Sequence, residues 1–175
     1  DFQPNETFQL SEASETDLDR AGVKLRPYQR GGIHWLSWLS ENGLHGVLAD
    51  DMGLGKTLQA IAAMRLAYER TASHQHSLVV APKSVLHHWE RELRRYFPRM
   101  NRYVYHGPGR RRNLLHATHP ICFITTYATV KNDIEAFATI PLLYLILDEA
   151  TQIKNPAAVR TNAAKALNAA HRLAL

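Results

Sequence analysis

Cysteine is almost absent from this sequence, and long apolar runs are missing altogether. The single cysteine, Cys122, excludes an internal disulfide framework and suits a reducing compartment. The ten histidines show no ligand spacing with cysteine, so no structural zinc is expected. Neither a membrane-length apolar run nor a signal-peptide pattern is present, so we expect no membrane partner and no secretion.

The length of the chain suits one domain. At 175 residues it can bury a real core. It begins with Asp1 rather than Met and ends on the apolar run 173–175, with no turn after it, so we expect both ends to be cut edges of a larger protein. Residues 1–24 are polar and acidic, which predicts a linker or a loosely docked lead-in to a folded domain at 25–175.

Negative and positive charges are separated along the chain. The net charge is +5, but residues 1–20 carry six acids against one arginine, a net of −5. The remainder therefore carries +10, and within it the segment 83–112 holds nine basic residues and only two acids. This imbalance indicates either a polyanionic partner or a solvated basic face, and charge alone does not decide between them.

The stretch VLADDMGLGKTL, residues 47–58, has the organisation of a phosphate-binding loop. An apolar strand leads into a glycine-punctuated loop and then into a helix that opens at Lys56 and Thr57. Gly53 and Gly55 let the backbone approach an anion closely, and the helix start adds its positive dipole end. Lys56 can reach the outer phosphates of a nucleotide, while the Thr57 hydroxyl suits a bound Mg²⁺.

The match to the pattern G-x-x-x-x-G-K-[ST] is imperfect, because Asp50 occupies its first position. The alternative interpretation is an ordinary turn before an amphipathic helix. The order of strand, loop and helix favours a nucleotide phosphate site.

Two acids, Asp148 and Glu149, follow the most apolar run of the chain, LLYLIL at 142–147. In a parallel sheet, ligands lie beyond the carboxyl ends of the strands, where the phosphate loop also emerges. Asp148 can hold Mg²⁺ directly or through water, and Glu149 can orient and deprotonate an attacking water. Taken alone, the pair is better interpreted as two solvated acids at a strand end, but together with the phosphate loop it indicates a nucleotide site.

The apolar pattern predicts strands alternating with helices. Strands are expected at 47–49, 78–81, 103–105, 121–125, 142–147 and 173–175. Helices are expected at 27–41, 57–69, 85–97 with Ser84 as N-cap, 110–116, 127–137 and 156–170. Such alternation predicts an α/β domain whose parallel sheet is covered on both faces.

Five motifs occur in a fixed order: LRPYQ, DDMGLGKT, LVVAPKSVLHHWERE, ITTY and LILDEATQIKN. Together they resemble the Swi/Snf-type ATPases of helicase superfamily two, over about residues 24–175. The resemblance implies the first RecA-like lobe of that motor, a three-layer α/β/α P-loop domain with a mainly parallel sheet. It also implies ATP and Mg²⁺ as ligands, double-stranded DNA as partner, and location in the bacterial cytoplasm or nucleoid or in a eukaryotic nucleus. A second RecA-like lobe with an arginine finger would follow, and a nucleoprotein or transcription complex is a further possible partner.

The resemblance also implies roles for individual residues. Gln29 would contact the adenine edge, with Arg26 and Tyr28 lining that pocket, and Asp50 is shared with the family's usual loop. The nucleotide-binding loop would comprise Asp51, Met52, Gly53, Leu54, Gly55, Lys56, Thr57 and Leu58. Lys56, Asp148 and Glu149 would be catalytic, with Thr57 and Asp148 at the metal.

Contacts with the DNA phosphate backbone are implied for six residues: Pro82, Lys83, Ser84, Thr125, Thr126 and Tyr127. They follow predicted strands on one rim, and hydroxyls, backbone N–H groups and a lysine suit phosphate oxygens without selecting a base sequence. Trp89 also falls in a family motif, but its helical spacing predicts a core residue. Thr151 departs from the His or Gln that the family generally has there.

Three functions therefore compete: a lobe of a double-stranded DNA translocase, a lobe of a strand-separating helicase, and a nucleic-acid or partner-binding module with a degenerate ATPase. LRPYQ with DDMGLGKT favours the first, and Lys56, Thr57, Asp148 and Glu149 argue against the third. The basic run 110–112 could dock a protein or the second lobe instead of DNA.

Overall fold

The computed structural model describes residues 8–51, 53–110, 119–150 and 165–175. In these ranges the helices are α1 (Glu12–Arg20), α2 (Pro27–Glu41), α3 (Lys56–Thr71), α4 (Leu86–Tyr96), α5 (Tyr127–Asn132) and α6 (Ile134–Ala138). The strands are β1 (Gly46–Val47), β2 (His76–Val80), β3 (Asn101–Val104), β4 (Ile121–Thr125), β5 (Leu142–Leu147) and β6 (Ala169–Ala174).

All six strands join one parallel sheet, in the order β1-β6-β5-β2-β4-β3. β5 is buried along its whole length, as its uninterrupted apolar sequence predicts for a strand covered on both faces. β1 and β5 lie on either side of β6 and both run parallel to it. Their carboxyl ends therefore open at the same edge of the sheet, which a site shared by the phosphate loop and the two acids requires.

Helices cover both faces of this sheet. In β2, Val79 packs into a core with α2, α3 and α4, whereas Leu78 and Val80 pack into a second core with α5 and α6. This division follows from the alternation of side chains along a strand. The prediction of a three-layer α/β/α fold is confirmed. In the described ranges, no helix combines the length and the apolar character needed to cross a membrane.

The prediction that Ser84 caps a helix is wrong. Lys83–Val85 forms a turn of 3₁₀ helix, and α4 begins only at Leu86, without a side-chain cap among the described residues. The reason is that the Val85 N–H already bonds to the Pro82 carbonyl at 3.1 Å, which closes a tighter turn ahead of α4. Ser84 is left exposed on this turn.

Two other helices differ from expectation. The helix expected at 127–137 is divided at Asp133, whose buried carboxylate accepts hydrogen bonds from Tyr105 Oη at 3.1 Å and Arg110 Nε at 2.6 Å. The helix expected to reach residue 170 ends earlier, because Ala169–Ala174 pairs with β1 and β5 as strand β6. Here sheet pairing overrides the helix propensity of alanine.

Some predictions fall on residues outside the described ranges: the helix start at 155–156, the basic connection at 111–116, Met52 and Thr151.

The acidic lead-in is docked more firmly than its composition suggests. Its helix α1 is capped by Ser11, whose hydroxyl accepts from the Ser14 N–H. On its inner face, Asp17 forms a 2.8 Å ion pair with Arg65 of α3, and both side chains are buried. Arg65 also bonds to Glu69 at 2.7 Å, so this guanidinium joins α1 to the helix that follows the phosphate loop.

We expect Asp17→Asn to lower the free energy of unfolding by about 3 kcal/mol, because it leaves part of the buried charge on Arg65 without its partner. Removing one partner of a buried ion pair costs about 3–5 kcal/mol. The lower value is expected here because Arg65 keeps its pair with Glu69. Chemical denaturation measures the change. Asp19→Asn, at an exposed position of the same helix, is the matched control. Equal losses in the two variants would contradict the assigned role of Asp17.

Candidate functional site

The backbone between β1 and α3 contains two left-handed glycines. Gly53 has φ 84° and Gly55 has φ 79°, a region that other residues rarely adopt. A Cβ added to Gly55 would lie 2.6 Å from the side-chain amide nitrogen of Gln29, so a larger residue would have to displace that side chain. Gly55 precedes α3, and no side chain of the described residues caps the start of that helix. The first N–H groups of α3 and its positive dipole end therefore suit a phosphate.

The first turn of α3 bonds to Asp50, the residue at the start of the phosphate loop. The Lys56 ammonium donates to the backbone oxygen of Asp50, and Gln59 Nε2 donates to Asp50 Oδ2 at 3.2 Å. Asp50, which replaces the first glycine of the pattern, thus ties the loop to α3 through its main chain and its side chain. A nucleotide phosphate would offer Lys56 a negatively charged acceptor in place of this neutral carbonyl.

The residues assigned to the adenine pocket lie against the same loop. Gln29 Nε2 and Tyr28 Oη both donate to the Leu54 carbonyl, each at 3.2 Å. Gln29 Oε1 accepts from the Arg26 N–H at 3.0 Å, which fixes the amide at the start of α2. Gln29 is buried, whereas Arg26 and Tyr28 are exposed. Gln29 therefore links α2 to the phosphate loop through the Leu54 carbonyl.

The two acids follow β5 in a constrained turn. The Asp148 N–H bonds to the Val80 carbonyl at 2.9 Å, so the residue still continues the sheet. Asp148 Oδ1 accepts from the Glu149 N–H at 2.9 Å, and Oδ2 accepts from the Trp89 indole N–H at 2.7 Å. Glu149 has φ 47°, a strained value for a residue other than glycine, and its side chain is exposed. Such strain is often found at functional sites.

Loop and acids meet in one cleft of about 460 Å³. Its lining includes eight of the predicted site residues: Gln29, Gly53, Gly55, Lys56, Thr57, Leu58, Asp148 and Glu149. The structure thus brings the two halves of the predicted site together at the carboxyl edge of the sheet. Among the described residues, four predicted nucleotide contacts do not line this cleft: Arg26, Tyr28, Asp51 and Leu54.

The cleft also contains three residues of α4 that were not predicted: His88, Glu92 and Tyr96. They recur every four residues, so they form one stripe of the helix, adjacent to the buried stripe that contains Trp89. Their spacing in the sequence is the signal by which these three residues could have been placed on one face of the helix. Burial, with the neighbouring Glu92, raises the pKa of Tyr96 above its ordinary value.

A second groove, of about 320 Å³, is linked to the first by the bond from its Tyr127 to Asp148 of the cleft. It is lined by Ala81, Pro82, Lys83, His106, Thr126, Tyr127 and Ala128, which include four of the six predicted DNA contacts. Lys83 of this lining is exposed, and so is Ser84, the next residue in the chain. Burial, reinforced by the negative charges of Asp148 and Glu149, raises the pKa of Tyr127 far above its usual range. The Tyr127 hydroxyl therefore remains a donor at neutral pH, and it bonds to the Asp148 carbonyl at 2.8 Å.

The threonine hydroxyls have bonds within the domain. Thr125 is fully buried and its hydroxyl donates to the Tyr105 carbonyl at 2.8 Å. The Thr126 hydroxyl caps α5 by accepting from the Thr129 N–H at 3.1 Å. The side chain of Thr125 thus joins the end of β4 to the residue that follows β3. Lys83 and Ser84 offer the accessible polar groups of this set.

Part of the basic segment is likewise used internally. Arg110 is paired with Asp133, and Arg95 donates to the Ala21 carbonyl at 2.7 Å, at the end of α1. Arg94 lies 3.7 Å from Glu90 on the same helix. The arginines of this segment therefore contribute fewer uncompensated charges than their number suggests.

The donor set fits a phosphate-bound Mg²⁺ rather than a metal held by protein alone. In the described part of the chain, no group of three His, Cys, Asp or Glu residues could hold a metal ion. Thr57 and Asp148, both in the cleft, would supply only two ligands. Mg²⁺ is commonly bound in this way, with phosphate oxygens and waters completing the octahedron.

Comparison with known proteins gives consistent matches. The family model described as the SNF2-related domain matches residues 28–175. The chain is 41% identical over 166 residues to the TATA-binding protein-associated factor mot1 of Aspergillus fumigatus, covering 87% of this chain and 9% of that protein. It is 36% identical over 154 residues to the putative ATP-dependent helicase/translocase YwqA of Bacillus subtilis, covering 86% of this chain and 17% of that protein.

A solved structure agrees with these matches. The SWI2/SNF2 ATPase core of Sulfolobus solfataricus in complex with dsDNA superposes with a TM-score of 0.80 at 34% identity. The superposition covers 99% of this chain and 34% of that one. The chain thus spans about a third of that core and a much smaller part of its curated relatives.

Proposed function

This chain belongs to the SNF2-related family, and from that premise we propose that it is the N-terminal ATP-binding lobe of an ATP-driven double-stranded DNA translocase. It is a Swi2/Snf2-type ATPase domain with the RecA-like fold of that family. The observation that carries the proposal is the single cleft that joins Lys56 and Thr57 to Asp148 and Glu149. We place the lobe at 25–175, with 1–24 as its docked lead-in.

The residues of the cleft divide the work of phosphoryl transfer to water. The N–H groups that open α3, together with Lys56, would bind the phosphates of ATP. Thr57 and Asp148 would hold Mg²⁺, which neutralises charge that develops on the phosphates. Glu149, exposed beside Asp148, would orient the attacking water and accept its proton. Gln29, with Arg26 and Tyr28, would contact adenine as well as the loop.

Duplex DNA would lie along the second groove. Lys83 is an exposed residue of its lining, Ser84 beside it is also exposed, and Thr126 and Tyr127 line the same groove. Phosphate contacts of this kind position a protein on DNA without selecting a sequence. The name of the Sulfolobus structure, an ATPase core in complex with dsDNA, supports this partner. The name of the fungal relative, a TATA-binding protein-associated factor, supports a nucleoprotein substrate for the whole protein.

Lys56→Ala is expected to weaken ATP binding by about 1.5–3 kcal/mol, because it removes a charge-assisted contact with phosphate. Titration calorimetry on the full-length protein measures the loss. Lys131→Ala, at an exposed position of α5, is the control and should bind ATP as the unchanged protein does. Equal affinity of the Lys56 variant and the control would remove Lys56 from the site.

Binding of duplex DNA is expected to be indifferent to sequence and steeply dependent on salt, because phosphate contacts release counterions. Lys83→Ala should reduce the slope of log K against log salt concentration by about 1. Fluorescence anisotropy over a salt series measures both slopes, with Lys131→Ala again as control. An affinity that hardly changes with salt would contradict DNA binding through phosphates.

One experiment on the full-length protein separates the three candidate functions. A translocase should hydrolyse ATP faster with duplex DNA and leave the two strands of the duplex paired, whereas a helicase should separate them. A binding module with a degenerate ATPase should bind DNA without hydrolysing ATP at all. The intact phosphate loop and acid pair support the first outcome over the third.

A further inference from the structure

Asp148 is held by more bonds than the end of a strand requires. Its Oδ2 accepts from Trp89 Nε1 at 2.7 Å, and its Oδ1 accepts from the Glu149 N–H at 2.9 Å. Its carbonyl accepts from Tyr127 Oη at 2.8 Å, and its N–H bonds to the Val80 carbonyl at 2.9 Å. Of two aromatic residues that lie far from Asp148 in the chain, Trp89 thus bonds to its carboxylate and Tyr127 to its main chain.

Trp89 has a bonding role in addition to its packing. Its side chain is fully buried on the inner stripe of α4, between Leu86 and Leu93. An indole N–H can only donate, and a buried donor without an acceptor is costly. The Asp148 carboxylate supplies the acceptor for this buried N–H. A bond from N–H to carboxylate is also charge-assisted, which makes it stronger than one between neutral groups.

Tyr127 connects the same acid to the second groove. It lines the groove, and its hydroxyl bonds to the carbonyl of Asp148, which lines the first cleft. Trp89 has a comparable place in the chain, because α4 follows directly on the 3₁₀ turn that carries Lys83 and Ser84. Each of the two segments proposed to contact DNA is thus continuous with one residue that bonds to Asp148.

We propose that Trp89 and Tyr127 form a positioning clamp on Asp148 that links the DNA groove to the metal-binding carboxylate. The inference rests on the proposed function of the cleft and assigns to Trp89 a role that its spacing alone did not indicate. Neither residue would touch the reacting atoms through this clamp. Trp89 would fix the rotation of the carboxylate, and Tyr127 would fix the main chain that carries it. Together they would keep the free lone pairs of Asp148 directed at Mg²⁺, and DNA in the groove would act on that direction.

The test uses the full-length protein with Trp89→Phe and Tyr127→Phe, each of which removes one donor and keeps an aromatic ring. Leu93→Val perturbs the same buried stripe of α4 without touching Asp148. Tyr68→Phe removes a hydroxyl that bonds to the Gln75 carbonyl at 2.8 Å and to Ser77 Oγ at 2.9 Å, beside the start of β2 at the opposite edge of the sheet. These two controls match the clamp variants in lost packing and in lost hydrogen bonding.

The first readout is binding of a fluorescent ADP analogue as Mg²⁺ is titrated. Loss of a group that orients a metal ligand typically weakens metal binding by about 10–100-fold, so both clamp variants should need at least about 10-fold more Mg²⁺ for half-maximal binding. Their binding of the analogue without Mg²⁺ should change far less. The controls should follow the unchanged protein, because a purely structural defect does not alter the Mg²⁺ requirement.

The second readout is the ratio of ATPase rates with saturating duplex DNA and without DNA, which the clamp variants should lower and the controls should not. If both clamp variants match their controls in Mg²⁺ requirement and in this ratio, the clamp is overturned while the proposed function stands. If Trp89→Phe does not fold, Tyr127→Phe alone decides by the same comparison. If the unchanged protein shows neither Mg²⁺-dependent binding nor DNA stimulation, the proposed function fails, and the clamp with it.

Discussion

Glu149→Gln is expected to lower the rate of ATP turnover by about 10²–10⁴-fold, the usual contribution of a positioned general base. The amide keeps the shape of the side chain but cannot accept a proton from water. Nucleotide and Mg²⁺ binding should remain almost unchanged, because the proposed phosphate and metal ligands are Lys56, Thr57 and Asp148. A single-turnover ATPase assay on the full-length protein with duplex DNA, combined with calorimetry, measures both effects.

The control for this variant is Glu135→Gln, an equal change of charge at an exposed position of α6. It should leave turnover unaffected. If Glu149→Gln hydrolyses ATP as fast as this control, Glu149 has no part in the chemistry. If it instead loses nucleotide binding, the strained turn at Glu149 supports the site rather than the reaction.

The 175-residue chain by itself is expected to hydrolyse ATP almost undetectably, even with saturating duplex DNA. The chain covers 34% of the Sulfolobus ATPase core, and its family resemblance implies that the arginine finger lies in a second RecA-like lobe. An arginine finger contributes about 10³–10⁵ to the rate of phosphoryl transfer, so its absence should dominate. With one lobe, the cleft would also be open to water on one side.

Comparison of the chain alone with the full-length protein, in the same ATPase assay, tests this expectation. The Lys56→Ala variant of the full-length protein provides the background rate. Robust turnover by the chain alone, stimulated by DNA, would show that the proposed second lobe is dispensable. In that case the catalytic groups of this lobe would have to stabilise the transition state unaided.

The parts of the fold that could be predicted are those that depend on neighbouring residues. The run 142–147 is apolar without interruption, and it forms β5 with the predicted bounds. The acids that follow it could then be placed beside the phosphate loop, because parallel strands end at the same edge. The helix start at Pro27 is also local, since proline suits the first turn.

What could not be predicted depends on contacts between distant residues. Trp89 and Asp148 are 59 positions apart, and helical spacing identifies only the burial of the tryptophan. Asp17 and Arg65 are 48 positions apart, so a polar, acidic segment gave no sign that one carboxylate would dock it. The break at Asp133 has the same origin, since its carboxylate is drawn to Tyr105 and Arg110.

The central claim, ATP-driven movement along duplex DNA, is tested most directly by displacement of a third strand from a DNA triplex. The full-length protein should remove the third strand in the presence of ATP and Mg²⁺ and leave the underlying duplex paired. Lys56→Ala and Glu149→Gln should both fail to do so, while Lys131→Ala should succeed. Separation of the duplex strands, or no displacement by the unchanged protein despite rapid ATP hydrolysis, would contradict translocation.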